Sequence, residues 1–241
     1  MEKKSLLYEG KAKKVYETEN EQQLIVEYKD DATAFNGLKK GTVAGKGIIN
    51  NQMSNRLMQL IEKSGVPTHF IEELSKRETL VKRVRIVPLE VIIRNISAGS
   101  FSKRYGVEEG IEFDSPTIEF SYKNDELGDP LLNSYHALAL KLATKDEIET
   151  IKDYSFRINE ILKKIWKECG VILVDFKLEF GKTADGSVVL ADEISPDTCR
   201  LWDAETKKKL DKDRFRRDLG GTEDAYAEVM SRLTGYLSEN R

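Results

Sequence analysis

The sequence predicts an α+β fold with mostly antiparallel sheets and with helices gathered separately from the strands. Short strand-like segments follow one another as hairpins do, and helix-period segments such as 48–63 and 144–169 stand between the groups of strands. The 241 residues suffice for one large domain or two closely packed smaller ones. Apolar residues make up 39% and charged residues 34%, which indicates a soluble globular protein with a moderate core.

Charge and residue usage argue against several classes of protein. Lys and Arg number 39 against 42 Asp and Glu, whereas a general nucleic-acid-binding protein would show a basic excess. The charged start and the absence of an apolar run near 18 residues predict neither a secretory leader nor a membrane partner. Cys169 and Cys199 are isolated, which fits a reducing cytoplasm. With only two histidines, a histidine-based metal site or catalytic triad is not expected.

The first part of the chain, 6–28, predicts three short strands and a basic turn at 10–13. Such a turn can place backbone amides and ammonium groups over phosphates, but an exposed hairpin explains the segment equally well. The polar segment 30–47 predicts a mobile loop. It does not contain a phosphate-binding P-loop, because Gly41 and Gly45 are separated by three residues rather than four.

A predicted central strand ends at Arg94 and leads into a turn of small polar residues that suits a phosphate. Arg94 offers fork-like donors, Gly99 allows close backbone approach and Ser100 supplies a hydroxyl. Ser100 can also cap a short helix, and the two roles are compatible. Upstream, one strand at 79–86 and another at 89–94 are expected, with Pro88 interrupting the chain between them.

The segment 116–133 is expected to be irregular, and its polar residues allow two interpretations. Lys123, Asp125 and Asp129 can serve a metal or can make turns, and turns explain the segment taken alone more simply. The next segment is clearer. A Thr-x-x-Glu capping box at 144–147 predicts the start of a long amphipathic helix.

The most informative strand pattern alternates Asp175, Lys177 and Glu179 on one face with apolar residues on the other. A two-residue hairpin loop at Asp185-Gly186 would place Glu179 opposite Asp192, with Cβ atoms about 5 Å apart. A four-residue loop would shift the register by two residues and leave Asp192 on the same face as Glu179. Two carboxylates so close repel unless a cation or proton lies between them. With Lys177 alongside, a divalent metal carrying a phosphate is one interpretation. A solvated strand face with incidental charges has equal weight.

The last part of the chain predicts further cations near the strand that carries Asp192. Arg200 lies in a loop at 195–203, and 212–217 predicts a short basic helix. A final amphipathic helix begins at Thr222.

Six segments, in order, resemble motifs of the SAICAR synthetase family. Each motif alone is modest, but together they span nearly the whole chain. They are Tyr8-Glu-Gly-Lys-Ala-Lys13, Val87-Pro-Leu-Glu-Val-Ile-Ile-Arg-Asn-Ile-Ser-Ala-Gly-Ser100, Lys123-Asn-Asp125 with Asp129-Pro130, Leu173-Val-Asp-Phe-Lys-Leu-Glu-Phe-Gly181, Asp192-Glu-Ile-Ser-Pro-Asp197 with Arg200-Leu-Trp-Asp203, and Lys212-Asp-Arg-Phe-Arg216.

The resemblance implies an ATP-grasp-like, kinase-related fold of two lobes, 1–87 and 88–241, with ATP between them. Glu179 and Asp192 are implied to hold Mg²⁺, and Lys177 to lie beside the phosphates. The remaining nucleotide positions are Gly10, Lys11, Ala12 and Lys13 over the phosphates, Val15 against the adenine, and Lys82, Val84 and Val87 in a hinge that reads the adenine edge.

The resemblance also implies an amide-forming reaction between two small molecules. ATP activates the carboxylate of a carboxylated aminoimidazole ribonucleotide (CAIR) as an acyl phosphate, which the amine of L-aspartate attacks. This chemistry needs positioning and cations more than a protein nucleophile. A homodimer is expected, as in bacterial members. The implied catalytic residues are Lys177, Asp175 and Lys123, and the implied substrate-binding residues are Arg94, Ser100, Asp175, Arg200, Lys212, Arg216, Asp125 and Asp129.

Two other functions use the same residues. A small-molecule kinase would employ the same Mg–ATP face, and a nucleotide sensor would bind ATP without turnover. A requirement for L-aspartate separates the ligase from the kinase. The sensor leaves the basic residues Arg94, Arg200, Lys212 and Arg216 without a role.

Overall fold

The computed structural model describes residues 2–34 and 37–239, and this part of the chain forms three antiparallel sheets and six α-helices. The strands are β1 (Leu6–Glu9), β2 (Lys13–Glu17), β3 (Gln23–Tyr28), β4 (Asp31–Ala34), β5 (Lys39–Thr42), β6 (Phe70–Glu73), β7 (Glu78–Lys82), β8 (Arg85–Ile96), β9 (Glu112–Tyr122), β10 (Leu131–Leu132), β11 (Val171–Lys182), β12 (Val188–Ala191) and β13 (Cys199–Asp203). The helices are α1 (Lys46–Lys63), α2 (Gly99–Tyr105), α3 (Ser134–Ala139), α4 (Lys145–Glu168), α5 (Asp213–Arg216) and α6 (Thr222–Glu239).

The first sheet has the order β1-β2-β3-β7-β6 and uses only residues 6–82. Beside it, β4 and β5 form a hairpin of their own, so the expectation of a mobile loop at 30–47 is wrong. Its two strands lack large apolar residues, but Ala32 and Ala34 alternate into the interior and are buried. Burial of two small side chains on one face is the period-2 signal of a strand.

The second sheet has the order β10-β9-β8-β11-β12, and β13 pairs with β11 as well. β11 is its central strand, with β8 along one edge. On the other edge, 179–182 pairs with β12 and 171–176 pairs with β13. Because β11 is hydrogen-bonded along both edges, its side chains are held on a rigid support.

Two strand boundaries differ from the sequence expectation. Pro88 does not interrupt a strand, because β8 runs through it. The short connection between β7 and β8 lies earlier, between Lys82 and Arg85. The pairing of β8 with β11 is irregular at this point, between Glu179 and Gly181, and proline is tolerated where the ladder is irregular. β9 also extends into the segment that was expected to be irregular and is regular as far as Tyr122.

Helices α1, α4 and α6 share the main apolar core with one face of the second sheet, and the other face carries polar side chains. α4 begins with the predicted capping box, in which Thr144 and Glu147 each accept from the other's backbone N–H. Its apolar stripe shares one core with residues of α1, α6 and the sheet. Within the described ranges, no helix is both long and apolar enough to cross a membrane.

Candidate active site

The polar face of β11 lies against a matching polar face of β8. In the observed register Asp175 is opposite Arg94, and Glu179 is opposite Glu90. Asp175 and Glu179 are nevertheless buried, at 3% and 4% exposure. The alternation predicted for β11 is therefore present, and its charged side is an enclosed surface rather than a solvated one.

The hairpin that follows β11 does not have the predicted register. Glu179 is opposite Ala191 rather than Asp192. The loop consists of residues 184–186. The Gly186 N–H donates to the Thr183 carbonyl at 2.9 Å, and Gly186 itself has φ +88°. A loop one residue longer than expected shifts the register by one residue, which in a regular strand would move Asp192 to the opposite face.

Asp192 nevertheless reaches the polar face because β12 ends at Ala191. Asp192 has φ +59°, in the left-handed region that Asp tolerates better than most residues. Its Oδ2 lies 3.8 Å from the Nζ atom of Lys177, and its Oδ1 pairs with Lys13. The predicted proximity of Asp192 to Lys177 is present, but a backbone turn produces it.

Lys177 lies at the centre of the charged residues on this face. Its Nζ atom is 2.6 Å from Glu179 Oε1 and 3.0 Å from Glu90 Oε1. Lys123 contacts the same Glu179 oxygen at 2.9 Å. Burial lowers the pKa of Lys177, but Glu179, Asp192 and Glu90 outweigh burial and raise that pKa well above its usual value. Lys177 is therefore a fixed positive charge at neutral pH.

Asp192 is held in its charged form by the same cluster. Burial raises the pKa of Asp192, but Lys13 and Lys177 outweigh burial and hold that pKa well below its usual range. The Asp192 carboxylate and the Lys177 ammonium group are thus both ionised at neutral pH. Such a face can receive an anion at the lysines and a cation at the carboxylates.

Two cavities open onto these residues and meet at Lys177. The larger, of about 960 Å³, lies between the 10–13 turn, β4–β5 and the carboxylates of Glu179 and Asp192. Lys123, Asp125 and Asp129 line its far side, where Lys11 Nζ contacts Asp125 Oδ1 at 2.8 Å. The smaller, of about 370 Å³, shares with the larger one Lys11, Ala12, Asp31, Thr33, Gly37, Glu90, Lys177, Asp192 and Glu193.

Arg94, on β8, lies on one side of the smaller cavity and is 1% exposed. Its guanidinium donates to Asp175 at 2.7 Å, to Glu119 at 3.0 Å and to Ser100 Oγ at 3.0 Å. Ser100 is not the N-cap of α2; Ala98 occupies that position without a side-chain cap, and the Ser100 hydroxyl accepts from Arg94 instead. The structure thus brings Arg94 and Ser100 together at this turn, and their binding of a phosphate stays a prediction.

Arg200 lies on the other side of the same cavity. It donates to Asp175 Oδ2 at 2.9 Å and to Asp213 at 2.9 Å. Gly99, at φ +55°, packs so closely that an added Cβ would lie 2.3 Å from the Arg200 guanidinium. The turn after β8 therefore requires glycine both for its backbone conformation and for the approach of Arg200.

Lys212 and Arg216 complete the cationic lining, and Lys212 pairs with a buried carboxylate that received no predicted role. Asp197 accepts from Lys46 at 2.9 Å, from Lys212 at 3.3 Å and from the Tyr226 hydroxyl at 2.6 Å. Burial raises the pKa of Asp197, but Lys212 and Lys46 outweigh burial and hold it well below its usual range. The sequence showed Asp197 within a motif, but nothing linked it to Lys46.

Four predicted nucleotide residues lie outside both cavities. Val15 packs against the small apolar cluster of the first sheet, and Val87 is buried in the main core. Lys82 Nζ donates to the Thr68 carbonyl at 2.8 Å, and Val84 lies against Gly181. Their roles at the adenine stay predictions.

The residues present fit the chemistry of an Mg²⁺ site. In the described ranges no group of three or more His, Cys, Asp or Glu residues could hold a metal by itself. Mg²⁺ bound with a nucleotide uses one or two carboxylates and completes its shell with phosphate oxygens and waters. Glu179 and Asp192, on either side of Lys177, would provide that pair.

Comparison with known proteins identifies the family. A sequence model described as SAICAR synthetase matches residues 6–233. The chain belongs to the SAICAR synthetase family. The phosphoribosylaminoimidazole-succinocarboxamide synthase of Lachnoclostridium phytofermentans is 64% identical over 233 residues, which are 97% of this chain and 99% of that protein. The homologue from Thermoanaerobacter sp. is 62% identical and covers 98% of this chain and 100% of its own length.

Solved SAICAR synthetase structures share the fold. The enzyme from Ehrlichia chaffeensis superposes with a TM-score of 0.94 at 49% identity, covering 95% of this chain and 98% of that one. A type-2 SAICAR synthetase in complex with ADP gives a TM-score of 0.92 at 51% identity, covering 95% and 97%. The family resemblance and the mixed, mostly antiparallel fold predicted from the sequence are confirmed.

Proposed function

We propose that this protein is an ATP-dependent ligase of purine biosynthesis that joins the carboxylate of CAIR to the amine of L-aspartate. The products are SAICAR, ADP and phosphate. The observation that carries this proposal is the meeting of two charged cavities at Lys177, one beside the basic 10–13 turn and one lined by arginines. Relatives that are 64% and 62% identical over nearly their whole lengths are named as this synthase, and a neighbouring structure contains ADP.

The larger cavity is the proposed ATP site. Gly10, Lys11, Ala12 and Lys13 would cover the phosphates, and the lobes 1–87 and 88–241 of an ATP-grasp-like fold would enclose the nucleotide. Glu179 and Asp192 would hold Mg²⁺, which supplies charge neutralisation between neighbouring phosphates when bound. The lysine ammonium groups around these carboxylates support an anionic ligand at this position.

The smaller cavity is the proposed CAIR site. Arg94, Ser100, Arg200, Lys212 and Arg216 would bind the phosphoribosyl group, because guanidinium groups match phosphate oxygens in pairs. Asp175, held between Arg94 and Arg200, would accept from the amino group of the imidazole.

The proposed reaction has two steps. The CAIR carboxylate attacks the γ-phosphorus, the bond to ADP breaks, and an acyl phosphate forms. The amine of aspartate then attacks the acyl carbon, loses a proton, and expels phosphate as the amide forms. Lys177 and Lys123 would stabilise the charge that moves between oxygens in these steps. Cys199 takes no part, because burial raises the pKa of its thiol far above the usual value.

The assembly and location of the protein belong to the same proposal. A cytoplasmic homodimer that binds CAIR, L-aspartate and ATP, and no nucleic acid, would fit a metabolic ligase of this family. Asp125 and Asp129, which line the larger cavity, would contact a substrate there.

Product analysis tests the function. The protein is incubated with ATP, Mg²⁺ and CAIR, with and without L-aspartate, and SAICAR and ADP are measured by chromatography. A ligase forms SAICAR and ADP in equal amounts only with aspartate present. ADP release at the same rate without aspartate would instead indicate a small-molecule kinase.

A further inference from the structure

A fully buried carboxylate, Asp211, lies between β13 and α5 and faces neither cavity. Its Oδ2 accepts a hydrogen bond from the backbone N–H of Leu201 at 2.8 Å. Its Oδ1 accepts one from the backbone N–H of Asp213 at 2.7 Å. One side chain thus joins β13 to the first turn of α5.

Both of these backbone groups belong to segments that carry cations of the smaller cavity. Leu201 directly follows Arg200, and Asp213 begins the helix that ends at Arg216. The Asp213 carboxylate accepts from Arg200 Nε at 2.9 Å and from Arg216 Nη1 at 2.7 Å. Asp211 therefore fixes the backbone from which both guanidinium groups project.

We propose that Asp211 is a positioning residue for CAIR, acting by holding Arg200 and Arg216 in a fixed relative position without touching the ligand. This inference rests on the proposed function. Arg200 also reaches Asp175 on β11, so a shift of β13 relative to α5 would disturb both sides of the smaller cavity. Displacements near 1 Å in such sites can cost about 100-fold in rate.

The environment of Asp211 indicates how a neutral substitution would affect the stability of the protein. Burial and the Asp213 carboxylate raise the pKa of Asp211 to about 7, against the opposing effect of its two backbone hydrogen bonds and Arg216. A neutral amide at this position would remove the unfavourable burial of charge and would lose one of the two hydrogen bonds. These two effects on the free energy of unfolding oppose each other, so we expect the net change in stability to be small. The change in CAIR binding should therefore be the main effect of the substitution.

The test compares Asp211→Asn with the matched variant Asp203→Asn. Asp203, the last residue of β13, likewise accepts two backbone N–H groups, those of Glu205 at 3.2 Å and Thr206 at 2.7 Å. Its partner cation is Arg232, which lines neither cavity. We would measure kcat, the KM values for CAIR, ATP and L-aspartate, and urea unfolding for both variants and the wild type.

We expect Asp211→Asn to raise the KM for CAIR by about tenfold or more, as a misplaced binding group does. The KM for ATP should stay within about twofold, and Asp203→Asn should leave the KM for CAIR unchanged. If Asp211→Asn leaves the KM for CAIR within twofold of wild type, or raises the KM for CAIR and for ATP equally, Asp211 does not position the CAIR site.

The remaining outcomes are also decisive. A wild-type protein that forms no SAICAR would overturn the proposed function, and the inference with it, whereas an active wild type with an unaffected Asp211→Asn overturns the inference alone. If Asp211→Asn does not fold, we would measure Asp211→Glu in its place. Glutamate keeps both acceptor oxygens but displaces them by one methylene. The selective rise in the KM for CAIR is again expected, and its absence refutes the proposal.

Discussion

Replacing Glu179 by Gln tests the proposed metal site most directly. The Glu179 side chain is buried, and its Oε1 atom accepts from Lys177 at 2.6 Å and from Lys123 at 2.9 Å. Glutamine keeps the shape and one acceptor oxygen but removes the negative charge. If the carboxylate binds Mg²⁺, the neutral variant should lose metal-dependent turnover while keeping its fold.

The structure sets the size of both effects. Breaking a buried ion pair from one side costs about 3–5 kcal/mol when the remaining charge is left unpaired. Lys177 retains Glu90 at 3.0 Å, and Lys123 is 43% exposed and can be hydrated, so we expect the lower end, about 3 kcal/mol. For a chain of this size that corresponds to a Tm lower by about 6–12 °C. Turnover at saturating Mg²⁺ should fall by about 100-fold or more, as for loss of a group that stabilises transition-state charge.

Glu90→Gln is the matched control. Glu90 is opposite Glu179 across the two strands and pairs with the same Lys177 Nζ, but it is not a proposed metal ligand. Initial rates are measured against Mg²⁺ concentration, and ADP binding is measured by calorimetry with and without Mg²⁺. The metal assignment is refuted if Glu179→Gln loses no more turnover than Glu90→Gln, or if its half-saturating Mg²⁺ concentration equals that of the wild type.

Four further outcomes are expected. Asp192→Asn should abolish Mg²⁺-dependent turnover with an unchanged circular dichroism spectrum, because Asn also tolerates the left-handed backbone of this position. Arg94→Ala removes charge-assisted donors worth about 1.5–3 kcal/mol each, so calorimetry should show CAIR affinity lowered by about 100-fold or more and ATP affinity within a few-fold of wild type. Ellman's reagent at pH 8 should label neither thiol quickly in the native protein and both in urea, because burial raises the pKa of Cys169 to about 11 and that of Cys199 further still. Thr144→Ala should lower the free energy of unfolding by about 1 kcal/mol through loss of the helix cap and leave turnover unchanged.

The features that the sequence predicted correctly are those set by short-range rules. The alternation of Asp175, Lys177 and Glu179 needs only the geometry of an extended strand. The start of α4 needs only a capping residue and its reciprocal partner three residues later. Both signals lie within a few residues of chain, so no tertiary contact had to be known.

The features that were missed depend on contacts between distant parts of the chain. The expected loop at 30–47 becomes a hairpin because Ala32 and Ala34 find burial against other elements. Lys46 and Asp197 are 151 positions apart, and only the folded chain shows that they form a buried pair. Lys46 follows a glycine-rich segment whose spacing excludes a P-loop, so sequence reasoning removed it from consideration.

Asp192 reaches the predicted polar face although the hairpin register assumed for it was wrong. The two-residue loop assumed for the hairpin placed its carboxylate near Glu179, whereas the actual loop shifts the register and would send a regular strand's side chain to the core. The position instead needs a residue that accepts positive φ and carries a charge between Lys13 and Lys177. Aspartate meets both requirements, asparagine meets only the first and alanine meets neither. Loss of turnover in the asparagine variant would therefore report the charge alone, whereas an alanine variant would combine loss of charge with backbone strain.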